Sequence, residues 1–285
     1  MQANDSTMVG ARIPWAQFRV SPFPHIALRV LECVNSDAAS MCHLSDLIAS
    51  DPAFSSEVLT IANSPLIAHR FGVTSILQAI ALLGTHRLKG LCLTVGVRSY
   101  LGKSMNYPTL RNVWRHSIAT ALIAEQLVLI GLNDEDTAYT AGILHEIGRF
   151  AMAVIRPNEY ACLLETQKGS ADSILSVERE LFGLDHREVG NYLVKEWKLP
   201  SEFDEVVCSQ NGLRCKSFAW TMPEIVHMSC RMADASGFPA FEGCEAIPYQ
   251  NLLEELPTME RNRFYVDASD LAFDIGRKIN AAETA

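Results

Sequence analysis

No run of basic residues occurs anywhere in the 285-residue chain: Lys and Arg total 24 against 33 acidic residues, a formal charge of −9 with a pI near 5.4. Surfaces that bind nucleic acid neutralise phosphates with clustered cations, so nucleic acid is excluded as a broad electrostatic partner, and anionic membranes with it. No apolar run reaches the length of a bilayer span. The opening MQANDSTMVGARIPW lacks the basic segment and apolar core of an export signal. No C-x-x-C pair occurs among Cys33, Cys42, Cys92, Cys162, Cys208, Cys215, Cys230 and Cys244. Scattered through mostly apolar surroundings in a chain this long, they read as buried reduced thiols of a cytoplasmic protein rather than as disulfides or zinc ligands. Phosphate-binding loops of the G-x-x-x-x-G-K-[ST] and G-x-G-x-x-G types are missing, as is a G-x-S-x-G nucleophile elbow. There is no internal repeat, low-complexity linker or alternating β pattern.

What is present is the composition of a globular protein, 48% apolar and 20% charged, long enough for one large domain or two of ordinary size. Residues 1 to about 20 are polar and patternless and read as a loosely held lead-in. HIALRVLECVN then carries helical apolar spacing after Pro24. HLSDLIASDPAFSSEVLTIANSP reads as two short helices broken at Ser50 or Asp51, with Pro52 at a first helical position. Ser75 and Gln78 stand in capping-box spacing before a helix that Gly84 stops, and Thr85 starts another, basic on one side and apolar on the other. Arg111 to Ile130 reads as a long helix with Trp114, Ile118, Leu122 and Leu129 among its apolar positions. Gly183 ends a further helix, and Asp185 with Glu188 opens the next, which must stop before Pro200. Ser201 and Asp204 open one more. From about Gly212 the pattern weakens, residues 239 to 262 read as loop-rich, and DLAFDIGRKINAA reads as a last helix. The predicted architecture is all-α, a stack of helices with short connections.

One stretch stands out. Ala138 to Ile155, AYTAGILHEIGRFAMAVI, is apolar at nearly every position, capped by Asn133 with Asp134, Glu135 and Asp136 in its first turn, yet carries His145, Glu146 and Arg149 in its middle. A helix apolar all round is a buried helix, and ionisable groups inside it must be paired, metal-bound or neutralised. Glu146 and Arg149 stand at i and i+3, the spacing of an intrahelical ion pair.

FPHIALRVLE, SDPAFSSEVLTIANSP, TSILQAIALLG, WRHS, AGILHEIGR, ERELFGLDHREVG and RKINA follow one another in an order and spacing that resemble the HDOD domain, a regulatory relative of the HD metal-dependent phosphohydrolases. The main match runs over residues 21–211 as an HD-like helical domain with an N-terminal helical subdomain, leaving 212–285 as a C-terminal helical extension. In catalytic HD proteins a His on one helix, a His-Asp pair on another and a later Asp surround one or two divalent metals that activate water. The resemblance places His116, His145 and Glu146 at the first three of those positions, and His186 at the extra His of two-metal members. The departures are Glu146 where the pair has Asp, and Cys230 where the closing Asp belongs, with His227 and Asp234 out of register. The paired histidines expected near VVCSQNGLR are missing too.

That ligand set implies at most one weakly held divalent metal, with no cofactor as the favoured reading. The bland alternatives stay open: a buried polar network of Glu146, Arg149 and the two histidines satisfying itself, Asp185 as a helix cap, His186 as a surface or first-turn residue, and Cys230 as core. The function expected from the resemblance is a non-catalytic signal-transduction module of a bacterial two-component or second-messenger pathway that binds a regulatory protein or small signalling ligand. The rival is a one-metal phosphohydrolase using His116, His145 and Glu146.

Overall fold

A computed structural model describes residues 20–34, 40–64, 72–133, 137–166, 171–208, 220–242, 247–265 and 267–284, and no strand occurs among them. The expected lead-in before residue 20 and the acidic turn at Asp134, Glu135 and Asp136 lie outside these residues, as do Cys215 and Cys244. In chain order the helices are α1 (His25–Val34), α2 (Met41–Ala49), α3 (Pro52–Ala62), α4 (Ile76–Leu83), α5 (Thr85–Leu101), α6 (Pro108–Leu129), α7 (Ala138–Leu144) and α8 (Ile147–Ile155). They continue as α9 (Pro157–Thr166), α10 (Ala171–Phe182), α11 (His186–Glu196), α12 (Glu202–Cys208), α13 (Met222–Ala235), α14 (Tyr249–Glu255), α15 (Thr258–Arg261) and α16 (Ala268–Thr284).

The local signals act as the physics of helix ends requires. Asp51 caps α3 by accepting from the Phe54 amide at 3.0 Å, with Pro52 in the first turn. Asp185 and Glu188 form a reciprocal capping box on α11, Asp185 accepting from the amides of Arg187 and Glu188 while Glu188 accepts from that of Asp185 at 2.9 Å. Arg179 also pairs with the buried Asp185 carboxylate. Asp185→Ala is expected to destabilise the protein by about 1–2 kcal/mol in urea unfolding, with Asp185→Asn retaining most of the cap.

Several expectations need correction. The segment Ala138–Ile155 is two helices, α7 and α8, separated by a turn at His145 and Glu146, whose φ of −100° and ψ of 18° leave helical geometry. Both halves are buried with helical spacing, so the apolar pattern carries no mark of the break. Packing imposes it: α7 lies along α6 and α13, whereas α8 lies along α11. The α7–α6 and α8–α11 contacts are close backbone approaches through a glycine. A Cβ on Gly142 would collide with the Ala121 backbone on α6, and one on Gly148 with the His186 carbonyl on α11.

Asn133 does not cap α7, whose preceding residue is Thr137; its side chain donates instead to the Trp220 carbonyl at 2.7 Å. Helix α5 is buried on most of its circumference, Lys89 included, rather than split into basic and apolar sides. Leu129 is exposed at the end of α6, and of the cysteines expected to be buried, Cys42, Cys162 and Cys208 are exposed. The segment expected to be loop-rich holds α14 and α15, which begin directly after Pro248 and Pro257, where a missing amide donor costs little. Helix α13 packs along α6, and its Ile225, Met228 and Met232 join the same core as Leu122 and Ile143. None of the helices among the described residues is long and apolar enough to cross a membrane.

Candidate functional site

His116 sits in the middle of α6, on the side covered by α7 and α13, and is 1% exposed. Its Nδ1 lies 2.8 Å from the Phe238 carbonyl oxygen and 3.3 Å from Asp234 Oδ1, so Nδ1 carries a proton and donates it. Its Nε2 lies 3.4 Å from the Cys230 sulfur. His145, in the turn between α7 and α8, donates from Nδ1 to the Gly142 carbonyl at 2.6 Å. The two imidazole rings are 5.4 Å apart between centroids. One donor atom each from His116, His145 and Cys230 lies within 4.8 Å of the others, at the junction of α6, α13 and the α7–α8 turn. Cys230 and Asp234 are four residues apart on α13 and so share the face turned to His116.

The electrostatics differ across this cluster. Burial lowers the His145 pKa to about 4, so its ring is neutral at pH 7. Burial also opposes charge on His116, but the Cys230 sulfur and the Asp234 carboxylate outweigh it and raise its pKa well above the ordinary value. Burial pushes the Cys230 thiol up. The pocket therefore favours positive charge beside Asp234.

A second buried cluster adjoins the first. Arg149 on α8 places Nε 2.6 Å from Glu146 Oε2, a charge contact rather than an aligned hydrogen bond, and Nη1 3.2 Å from both Glu178 Oε1 and the Tyr160 hydroxyl. Glu178 accepts also from the Tyr160 hydroxyl at 2.8 Å, and from the amide and Nδ1 of His186 at 2.9 and 2.6 Å. Arg149 Nη2 is 3.4 Å from His186 Nε2, and its guanidinium lies over the Phe241 ring at 5.6 Å. Burial works against ionisation of Glu146, and Arg149 overcomes it, leaving the carboxyl below its ordinary pKa.

Of the four residues singled out as ligands from the sequence, His116 and His145 come together. Glu146 Oε1 is 3.9 Å from His145 Nε2, but its other oxygen faces Arg149. His186 stands in the first turn of α11, buried rather than on the surface, and is held by Glu178 and Arg149 in the second cluster. The polar network foreseen around Glu146 and Arg149 exists, with Glu178 and Tyr160 as members that went unnoticed and without His116. Cys230, read as core, faces His116, and Asp234, read as out of register, flanks it. The i, i+4 spacing of Cys230 and Asp234 was the available signal. A two-metal hydrolytic centre does not fit these residues: hard divalent ions take oxygen ligands, and the carboxylates here are committed to Arg149, His186 or His116.

The family model for the HDOD domain matches residues 20–212. No curated protein matches the sequence. Among solved structures, an HDOD domain protein of unknown function from Geobacter sulfurreducens superposes with a TM-score of 0.69 at 22% identity, over 94% of this chain and 92% of its own. A Shewanella amazonensis protein provisionally described as a metal-dependent phosphohydrolase gives 0.63 at 21% identity, covering 93% and 94% of the two chains. A protein from Marinobacter aquaeolei, provisionally described as a signal transduction protein, gives 0.66 at 19% identity over 93% of this chain but 59% of its own. At these identities the likeness is one of fold.

Proposed function

This chain belongs to the HDOD domain family, and from that premise we propose that it is a non-catalytic regulatory module of bacterial two-component or second-messenger signalling. It works in the cytoplasm by binding a regulatory protein or a small signalling ligand, and the conformation favoured by the bound state carries the signal. The observation behind this reading is the state of Glu146. At the position where hydrolytic relatives present an aspartate to metal, its carboxylate lies 2.6 Å from the Arg149 guanidinium, which supplies the positive charge a metal would bring. With Cys230 in place of the closing aspartate, too few oxygen donors converge to hold the hard divalent ions that hydrolytic relatives use.

The test is a screen of nucleotides, cyclic dinucleotides and generic phosphoesters with untagged protein supplied with Mn2+, Fe2+, Mg2+ or Zn2+. No turnover above the protein-free control is expected. Phosphoester cleavage that disappears in His145→Ala would replace this reading with the one-metal phosphohydrolase.

A further inference from the structure

We propose that His116, His145 and Cys230 form a binding site for a single Zn2+ ion, a soft-ligand site standing where hydrolytic relatives use carboxylates. The geometry carries it. Around a tetrahedral zinc, bond lengths of about 2.0–2.1 Å to nitrogen and 2.3 Å to sulfur put neighbouring donors roughly 3.3–3.6 Å apart. His116 Nε2 and Cys230 Sγ are already 3.4 Å apart. The widest of the three separations is within 4.8 Å, so roughly 1 Å of side-chain closure completes the triangle.

The surroundings are those of ligating histidines. A metal-bound imidazole commonly donates its other N–H to a carbonyl or carboxylate, which fixes the tautomer and aims the ring. Both rings do this: His145 Nδ1 donates to the Gly142 carbonyl, and His116 Nδ1 to the Phe238 carbonyl with Asp234 beside it. Nε2 of each ring is thereby the coordinating atom. The thiol ligates as thiolate and both rings as neutral imidazoles, the protons on Cys230 Sγ and His116 Nε2 displaced to solvent by the ion, and a sulfur ligand selects zinc over the hard ions magnesium, calcium and manganese. Three protein ligands leave the fourth position to water or to a ligand. The ion would pin α6, α13 and the α7–α8 turn to one another, so that loading and helix packing are linked. This inference does not depend on catalytic silence, since binding and turnover are read separately.

Metal-stripped, untagged full-length protein is titrated with Zn2+ against a chromophoric chelator, and in parallel with Co2+, whose near-ultraviolet sulfur-to-metal charge-transfer band reports thiolate ligation. One equivalent of Zn2+ and one thiolate band are expected. Cys230→Ser should lose the band and weaken Zn2+ binding by about 100-fold, while Cys162→Ser, at an exposed cysteine outside the cluster, should change neither. Circular dichroism establishes that each variant is folded; if Cys230→Ser is not, His145→Gln serves, with the same expected loss of Zn2+ affinity. No stoichiometric binding by folded wild type, a Co2+ complex without the band, or unchanged Zn2+ affinity in the folded variant would overturn the proposal.

Discussion

Arg149→Met is expected to lower the free energy of unfolding by about 3–5 kcal/mol, the cost of breaking a buried ion pair from one side. Arg149 is the cation between two buried carboxylates, Glu146 and Glu178, and its removal affects them unequally. Glu178 keeps the Tyr160 hydroxyl and two donors from His186, so it stays satisfied. Glu146 loses the charge that holds its carboxyl ionised, and is left 3.9 Å from a neutral His145. The penalty should therefore fall mainly on Glu146 and shrink when that residue is neutralised as well. Glu146→Gln with Arg149→Met should recover about 1–2 kcal/mol of the loss, the size of a coupling between directly contacting groups. Urea denaturation followed by circular dichroism reads both variants. A single-variant loss under about 1 kcal/mol would mean that water, not Arg149, satisfies Glu146.

The same cluster shows where the sequence was readable and where it was not. Local chemistry was legible: Asp51 with Pro52, the Asp185–Glu188 box and Gly183 each act within a turn, and each stands where the spacing places it. Burial of the His145–Arg149 stretch followed from its apolar flanks, and the i, i+3 pairing of Glu146 with Arg149 from helical spacing. Partners distant in the chain were not legible. Glu178 lies 29 residues from Arg149, on α10, a helix with an ordinary amphipathic pattern, and only the tertiary fold brings the two side chains together. Cys230 is 114 residues from His116, and a cysteine in an apolar run looks like core whether or not a histidine waits across the interface. The break at Glu146 was invisible for a related reason: the segments on both sides are buried, and apolar periodicity records burial rather than continuity.

Acid should weaken the metal-free fold in two windows with different owners. His145 has its pKa lowered from 6.5 to about 4, chiefly because burial disfavours the imidazolium. Between those values the unfolded chain takes up a proton that the folded ring refuses, so stability falls as pH falls, by up to about 1.4 kcal/mol per pH unit and roughly 3 kcal/mol across the window. His116 adds slope only at the upper edge of that window, where the unfolded imidazole is still partly neutral, and of the opposite sign. Its folded pKa lies above 6.5, so well below that value it is protonated in both states, and its contribution falls away only as pH rises. Glu178 is shifted in the same direction by a different cause: burial raises its pKa, but His186 and Arg149 prevail and bring it from 4.5 to about 2. Its stabilisation is complete above 4.5 and is lost as pH falls through about 2, so the second window begins where the first closes. Urea denaturation in the presence of a chelator, at steps from pH 7 to pH 4, should show the first loss, and His145→Gln should flatten it while leaving the fall below pH 4 in place. A wild-type protein equally stable at pH 6.5 and pH 4 would mean that His145 is protonated in the folded state, with its charge met by Glu146 rather than by solvent.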